Sequence, residues 1–301
     1  MLDRIVDDAL PANVPASGPV FTYSRPEQSF LRRSLIRVVE RLSGRARFER
    51  LYQHWQAEHH NPAETIFTSG IRALGISADI QAGRLEDVAE TGGVLVVANH
   101  PFGIVDGLLV AALAATRRRD VRLMVHSLLC QPPEAREALL PVDFGETAEA
   151  RRCSAETRRR AVEWLDQGHV LVLFPAGSVS TVAAPMDRHA VDCAWHPFVA
   201  RLATRPGVRT VPVFVHGQNS RLFQWASHYS YPLRVALIFA ETRAWIGRKV
   251  KVSIGAPVVA VDLGDKAGAA ARLRALCYGM AGPGGPAAAD KVFVWPKRIR
   301  F

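Results

Sequence analysis

The chain is short of the residues that would make it a metal-binding module, a disulfide scaffold or a membrane-spanning protein. Its 301 residues include only four cysteines, Cys130, Cys153, Cys193 and Cys277. They lie far apart and form no CxxC pair, which excludes a zinc knuckle and supplies no disulfide framework, so a reducing compartment is expected. No window approaches the ~20 apolar residues that a spanning helix needs. The longest apolar stretch, residues 104–115, is broken by Asp106. The amino end does not read as an export signal either, since Asp3, Asp7 and Asp8 stand where a basic region would be and no unbroken apolar run follows. His54, His59 and His60 lack the i, i+4 spacing of a helical metal site, and no metal ligand set is expected. Neither GxxxxGK[ST] nor GxGxxG follows a strand, which removes a P-loop or dinucleotide site. Ser178 and Ser180 follow a strand but are not in a GxSxG elbow, so a serine hydrolase is disfavoured.

Acid is the scarcer charge. Twenty-eight Asp and Glu face 38 Lys and Arg, a formal net charge of +10. Such a balance suits nucleic acid, an acidic substrate or an anionic membrane leaflet. No nucleic-acid motif accompanies the basic runs at residues 117–119 and 158–160, and short runs of this kind are usually solvated helix ends. The expected partner is therefore an anionic membrane surface, with no nucleic acid.

What is present is enough for a sizeable core: 49% of residues are apolar and 22% charged. Residues 1–26 are Pro- and Ala-rich and read as an irregular lead-in. Residues 27–75 read as an amphipathic helical segment. There Phe30, Leu31, Leu35, Val38, Val39 and Leu42 recur at helical spacing among Arg32, Arg33, Arg37 and Arg41, followed by a second stretch with Phe48, Leu51, Tyr52 and Trp55. Such helices either pack on a domain or lie on a membrane surface. From 76 to 278, apolar runs at 93–98, 121–129, 169–174, 210–215, 234–239 and 249–254 read as strands, and helical patterns at 106–115 and 155–167 separate them. Strands apolar on both faces predict an α/β fold with a mostly parallel sheet flanked by helices. Residues 279–301 read as a Gly/Pro/Ala linker and a basic-aromatic tail.

The most informative segment is residues 96–107, VVANHPFGIVDG. A buried strand ends at Ala98 and delivers Asn99 and His100 at its carboxyl end, where open α/β sheets place ligands. Asp106 follows six positions later. On a continuous helix, at ~100° per residue, the two would point to different faces. They meet only if the chain turns, and Pro101 and Gly103 supply a turn. A carboxylate there would fix the imidazole tautomer and leave the other ring nitrogen free as a base. The plain alternative is a loop hydrogen bond.

Asn99-His100 followed closely by Asp106, then Phe174-Pro175-Ala176-Gly177-Ser178-Val179-Ser180 after a second strand and Val211-Pro212-Val213 opening a third, resembles the glycerolipid acyltransferase superfamily. Gly217-Gln218-Asn219-Ser220-Arg221 and the NHPFG form of the first block resemble its bacterial hemolysin-like and ornithine-lipid-type branch. Three departures stand out. Five residues separate His100 and Asp106 where the family has four, Ala176 replaces an acid, and Val179 replaces an Arg linked to acceptor binding. The family's second block has no clean counterpart, although Arg151 and Arg152 lie in the corresponding interval.

The resemblance implies direct acyl transfer from acyl-CoA or acyl-[acyl carrier protein] to a hydroxyl of a lyso-lipid acceptor, with no further cofactor. It makes His100 the base and Asp106 its partner, and puts the work at the cytoplasmic face of a bacterial membrane. Asn99, Gly103, Pro175, Gly177, Ser178, Asn219 and Arg221 are the expected oxyanion or acceptor-binding residues. Trp195, His196, Pro197 and Phe198 are expected to begin a helix beside the site. Trp225 and Tyr229 are expected either to border a lipid tunnel or to fill core. The competing reading is a non-catalytic lipid-binding scaffold of the same fold.

Overall fold

The computed structural model describes residues 45–58, 64–130, 132–143, 145 and 147–294, together with 30, 33, 34, 37, 38 and 41. The expected lead-in, the end of the tail and much of the first amphipathic stretch lie outside these.

The elements with described bounds are, in chain order, α1 (Arg45–Glu58) and α2 (Ile66–Ala73), then β1 (Ser77–Ala82), β2 (Gly93–Ala98), α3 (Ile104–Arg117), β3 (Val121–His126) and β4 (Leu139–Val142). The chain continues with α4 (Ala148–Asp166), β5 (Val170–Leu173), α5 (Phe198–Ala203), β6 (Val208–Val215), α6 (Arg221–Tyr229) and α7 (Tyr231–Trp245). β7 (Lys249–Ile254), α8 (Ala260–Leu263) and α9 (Lys266–Gly279) complete the order. The seven strands form one sheet in the order β1-β7-β6-β2-β5-β3-β4. Among the described strand pairs of this sheet, β6/β7 is antiparallel and the other five are parallel.

β2 is the middle strand, and every one of its six residues is buried. Successive side chains point to opposite faces. Val94, Val96 and Ala98 therefore join one core with α2 and α3, while Leu95 and Val97 join the other with α5 and α9. With both faces covered, no polar alternation survives in the strand's sequence. α1 also packs on the domain. Phe48 is buried with its ring 5.8 Å from that of Phe239, and Trp55 donates to Ser69 Oγ at 3.1 Å.

One expected strand is a helix. Residues 234–239 sit inside α7, where the Ser230 side chain accepts from Leu233 N–H as an N-cap and a proline occupies the first turn. The apolar run there is that of a helix buried on most sides, which a short stretch cannot distinguish from a buried strand. Two strands escaped the pattern: β1, at the sheet edge with four of its six residues exposed, and β4, four residues long and containing Pro141.

Parallel pairing sets the carboxyl ends of the central strands side by side. Val97 is in register with Leu173 of β5 and with Pro212 of β6. The loops after β2, β5 and β6 therefore leave the sheet together, and these are the segments 99–103, 174–180 and 216–220.

Candidate active site

The sheet edge fixes the first loop before any chemistry is considered. The Asn99 side chain donates to Val215 C=O at 2.9 Å and accepts from Val215 N–H at 2.7 Å. Its amide thus imitates a strand residue and extends the β2/β6 pairing by one step. Both ends of that amide are used in holding the fold.

His100 comes next. Its main-chain N–H donates to Asp192 Oδ1 at 3.1 Å, and its C=O accepts from Ser180 N–H at 2.7 Å. Gly103 then turns the chain with φ of +92°, in the region that favours glycine. The turn starts α3, which carries Asp106 in its first turn, where the helix dipole favours a carboxylate. Asp106 is fully buried. Its Oδ2 accepts from Phe102 N–H and its Oδ1 from Gly107 N–H, both at 2.8 Å. Oδ1 also lies 3.1 Å from His100 Nδ1, off the line of an ideal hydrogen bond. The five-residue spacing is thus absorbed by the Pro101–Phe102–Gly103 turn. Phe102 is buried against Trp245, centroids 4.5 Å apart, and under Gly217, where a Cβ would lie 2.7 Å from the ring.

Asp106 faces Nδ1, which leaves Nε2 clear of that carboxylate. The imidazole retains 18% side-chain exposure and rests on the Phe174 ring, centroids 4.4 Å apart. Burial pulls its pKa down, but the Asp106 carboxylate, helped by Asp192, outweighs burial and the opposing Arg234 charge, so the net shift is upward.

Sequence reasoning missed two groups that organise this centre. Asp192 is fully buried and accepts from Ser180 Oγ at 2.6 Å and Trp195 Nε1 at 2.9 Å, as well as from His100 N–H. Its own backbone is held by Tyr278 Oη and Arg274. Burial pushes its carboxyl pKa up. Arg234, on α7, is the second. Its guanidinium donates to Thr181 Oγ1 at 2.7 Å, Ser227 Oγ at 2.6 Å and Val179 C=O at 2.7 Å, and burial lowers its pKa to about 10. The only available signal was a lone charge in each of two apolar surroundings, and neither falls in a motif.

The 174–180 loop lies against His100. Gly177, at φ of +66°, returns its N–H to Phe174 C=O at 3.0 Å, and Ser180 spends its N–H on His100 C=O. The peptide donors of Ser178 and Val179 are not used in this way. Ser178 Oγ lies 3.7 Å from Cys193 Sγ, and Ser180 Oγ is committed to Asp192, so neither serine is paired with a histidine. Pro175 C=O accepts from His196 N–H at 2.9 Å, and the short helix α5 begins after Pro197 as expected.

The third loop contributes less directly. Asn219 is buried, and both polar atoms of its side chain lack a hydrogen-bond partner among the described residues. Arg221 is exposed and donates to Asp187 C=O at 2.5 Å, bracing the 182–190 loop. Arg151 and Arg152 are exposed on α4. Trp225 and Tyr229 are not core: they are 51% and 54% exposed. No cluster of three metal-ligating side chains occurs among the described residues. Within the basic runs, Arg117 pairs with Glu90, Arg118 with Asp120, and Arg159 with Glu156 and Glu163.

A family model described as "Acyltransferase" matches residues 40–269. Among solved structures, the 1-acyl-sn-glycerophosphate (LPA) acyltransferase PlsC from Thermotoga maritima is similar over 82% of this chain and 79% of that one, at 15% identity and a TM-score of 0.41. No curated protein matches the chain at a significant level.

Proposed function

The chain belongs to the acyltransferase family, and from that premise we propose that it moves a fatty acyl group from a thioester, on CoA or acyl carrier protein, to a hydroxyl of a lyso-lipid acceptor. The observation that carries this reading is the buried Asp106 carboxylate set 3.1 Å from Nδ1 of a partly exposed His100, at the carboxyl end of the central strand.

In this mechanism His100 Nε2 takes the proton of the acceptor hydroxyl as its oxygen attacks the thioester carbonyl carbon. Asp106 stabilises the imidazolium that results. The tetrahedral intermediate collapses with cleavage of the C–S bond, and the imidazolium returns its proton to the leaving thiolate, which closes the balance. General-base action of this kind is worth ~10²–10⁴-fold. The developing oxyanion needs preorganised donors. The Ser178 and Val179 peptide N–H groups are the candidates, because Gly177 and Ser180 spend theirs inside the fold.

Val179 and Ala176 stand where the resemblance expects an Arg and an acid, so acceptor selection falls to other groups. Buried Asn219, with an uncommitted amide, is the candidate for contact with the acceptor's polar head. A lipid acceptor resides in a bilayer. No described helix is long and apolar enough to cross one, so the chain is proposed to work from an anionic leaflet, by peripheral contact.

The test compares wild type and His100→Ala with labelled acyl thioester and a panel of lyso-acceptors. Transfer by wild type that the variant loses supports the reading, and full retention overturns the assigned base. Binding of acyl thioester and lipid by both proteins without any transfer favours the non-catalytic scaffold.

A further inference from the structure

Helix α6 carries both buried and exposed apolar side chains, and the fold uses only the buried ones. Inward, Phe223 and Ala226 are buried in a cluster with Val179, Leu237 and Ile238, against which Ile104 packs. Gly103 lies on the same cluster, since a Cβ built there would stand 3.2 Å from both Ile238 and Val179. The inner side of α6 is therefore part of the wall around the His100–Asp106 turn. Outward, Leu222, Trp225 and Tyr229 recur at i, i+3 and i+7, which puts them in one stripe. They are 58%, 51% and 54% exposed. Trp225 and Tyr229 rest on each other, with centroids 4.7 Å apart.

A neighbouring loop extends the stripe. Met186 is 90% exposed. Its loop is held at the start of α6 by Arg221 on Asp187 C=O and by Gln218, which accepts from Ala190 N–H and donates to Arg188 C=O. Single exposed apolar residues are ordinary on a protein surface, whereas several on adjoining elements mark a contact surface. The exposed cations Arg188 and Arg221 flank this one.

We propose that the outer side of α6 and the Met186 loop form the face by which this protein seats on an anionic bilayer. Two features choose a bilayer over a protein partner. Trp and Tyr beside basic residues are the composition that settles at the headgroup level of a membrane. The chain's net charge of +10 is complementary to an anionic leaflet. The placement adds a reason, because the surface backs directly onto the apolar wall of the catalytic turn and shortens the path of a lipid acceptor out of the bilayer. This last step rests on the acyl-transfer reading, while the surface itself does not.

The experiment measures partitioning of the full chain onto phosphatidylcholine vesicles with and without phosphatidylglycerol. Wild type is expected to prefer the anionic vesicles, and a triple variant, Leu222→Gln, Trp225→Gln and Tyr229→Gln, to bind them at least about tenfold more weakly. The three side chains are exposed, so the variant's denaturant midpoint should match wild type. Brominated acyl chains in the vesicles should quench Trp225, giving a fluorescence loss that Trp225→Phe removes even if other parts of the chain also touch lipid. Equal partitioning of the triple variant and wild type, or quenching unchanged by Trp225→Phe, overturns the proposal. So does a wild-type dimer that the triple variant dissociates without any change in vesicle binding. The two readings fail separately. A wild type that partitions through this face but acylates nothing sinks only the acyl-transfer reading, whereas one that acylates a water-soluble lyso-acceptor but ignores vesicles sinks only this surface.

Discussion

His100 Nδ1 faces Asp106 Oδ1 across 3.1 Å, and the carboxylate is held in turn by the N–H groups of Phe102 and Gly107. The arrangement ties the tautomer of the proposed base to the first turn of α3. Asp106→Asn keeps the size but removes the charge, so kcat should fall by roughly 10²–10⁴-fold with little change in KM. The pH profile carries the second readout. A base must be deprotonated to act, and His100's pKa is raised, so wild-type activity should be lost as pH falls through a value above the ordinary ~6.5 of imidazole. In Asp106→Asn that acid limb should move to lower pH. An unchanged kcat and limb would show that the carboxylate is a bystander.

Asp192 acts on the same imidazole through different contacts. Asp192→Asn replaces one of the two oxygens that receive Trp195 Nε1–H, Ser180 Oγ–H and His100 N–H with a donor, and a buried donor facing a donor costs roughly 1–3 kcal/mol. The urea midpoint should drop accordingly. The variant also removes a negative charge that raises His100's pKa, so the acid limb should shift down, by less than in Asp106→Asn. A stability loss with no shift of the limb would confine Asp192 to a purely structural role.

The central strands, with both faces covered, were the most legible in the sequence, and β7 was legible although Lys249 and Lys251 are exposed. β2 announces itself because each of its six positions is buried. β1 and β4 did not, since one is an edge with three consecutive exposed residues at its end and the other is four residues interrupted by proline. The run at 234–239 misled because a helix packed on several sides carries no polar period, and its cap at Ser230 lies upstream of the run. At the site, His100 and Asp106 could be paired on paper because a turn separates them by only a few residues. Asp192 and Arg234 lie 92 and 134 positions beyond His100, and only the closing of loops over the sheet edge brings them to it. The position of Asn99 was legible while its role was not, because its neighbour in the chain is the proposed base but its amide belongs to Val215.

Arg234 supplies a test whose sign opposes that of Asp192. Its charge lowers the pKa of His100, and its guanidinium holds Val179 C=O, Thr181 Oγ1 and Ser227 Oγ. Arg234→Met keeps a long apolar stem and deletes the charge. The acid limb should move to higher pH, and the unmet Val179 carbonyl should cost roughly 1–3 kcal/mol of stability. Destabilisation is thus shared with Asp192→Asn while the limb moves the other way, a pattern that general loosening of the site would not produce. Limbs that shift in the same direction in both variants would refute the electrostatic account.

Gly103 is where backbone geometry and chemistry meet. It adopts φ of +92°, and a methyl group added there would stand 3.2 Å from Ile238 Cδ1 and from Val179 Cγ2. Its carbonyl also accepts from Gly107 N–H at 3.2 Å, so the residue begins the turn that carries Asp106. Gly103→Ala should cost on the order of 1–3 kcal/mol in urea unfolding and lower kcat, since any relief of the contact must move the turn that carries Asp106 or the Val179 loop. Gly92→Ala is the matched control. That glycine has φ of +80° but nothing within 4 Å of an added Cβ, so it isolates the backbone penalty from the contact. The control should lose stability and keep wild-type kcat. If both variants lose kcat equally, the Gly103 contacts play no part in positioning Asp106, and the turn tolerates a side chain that its geometry says it should refuse.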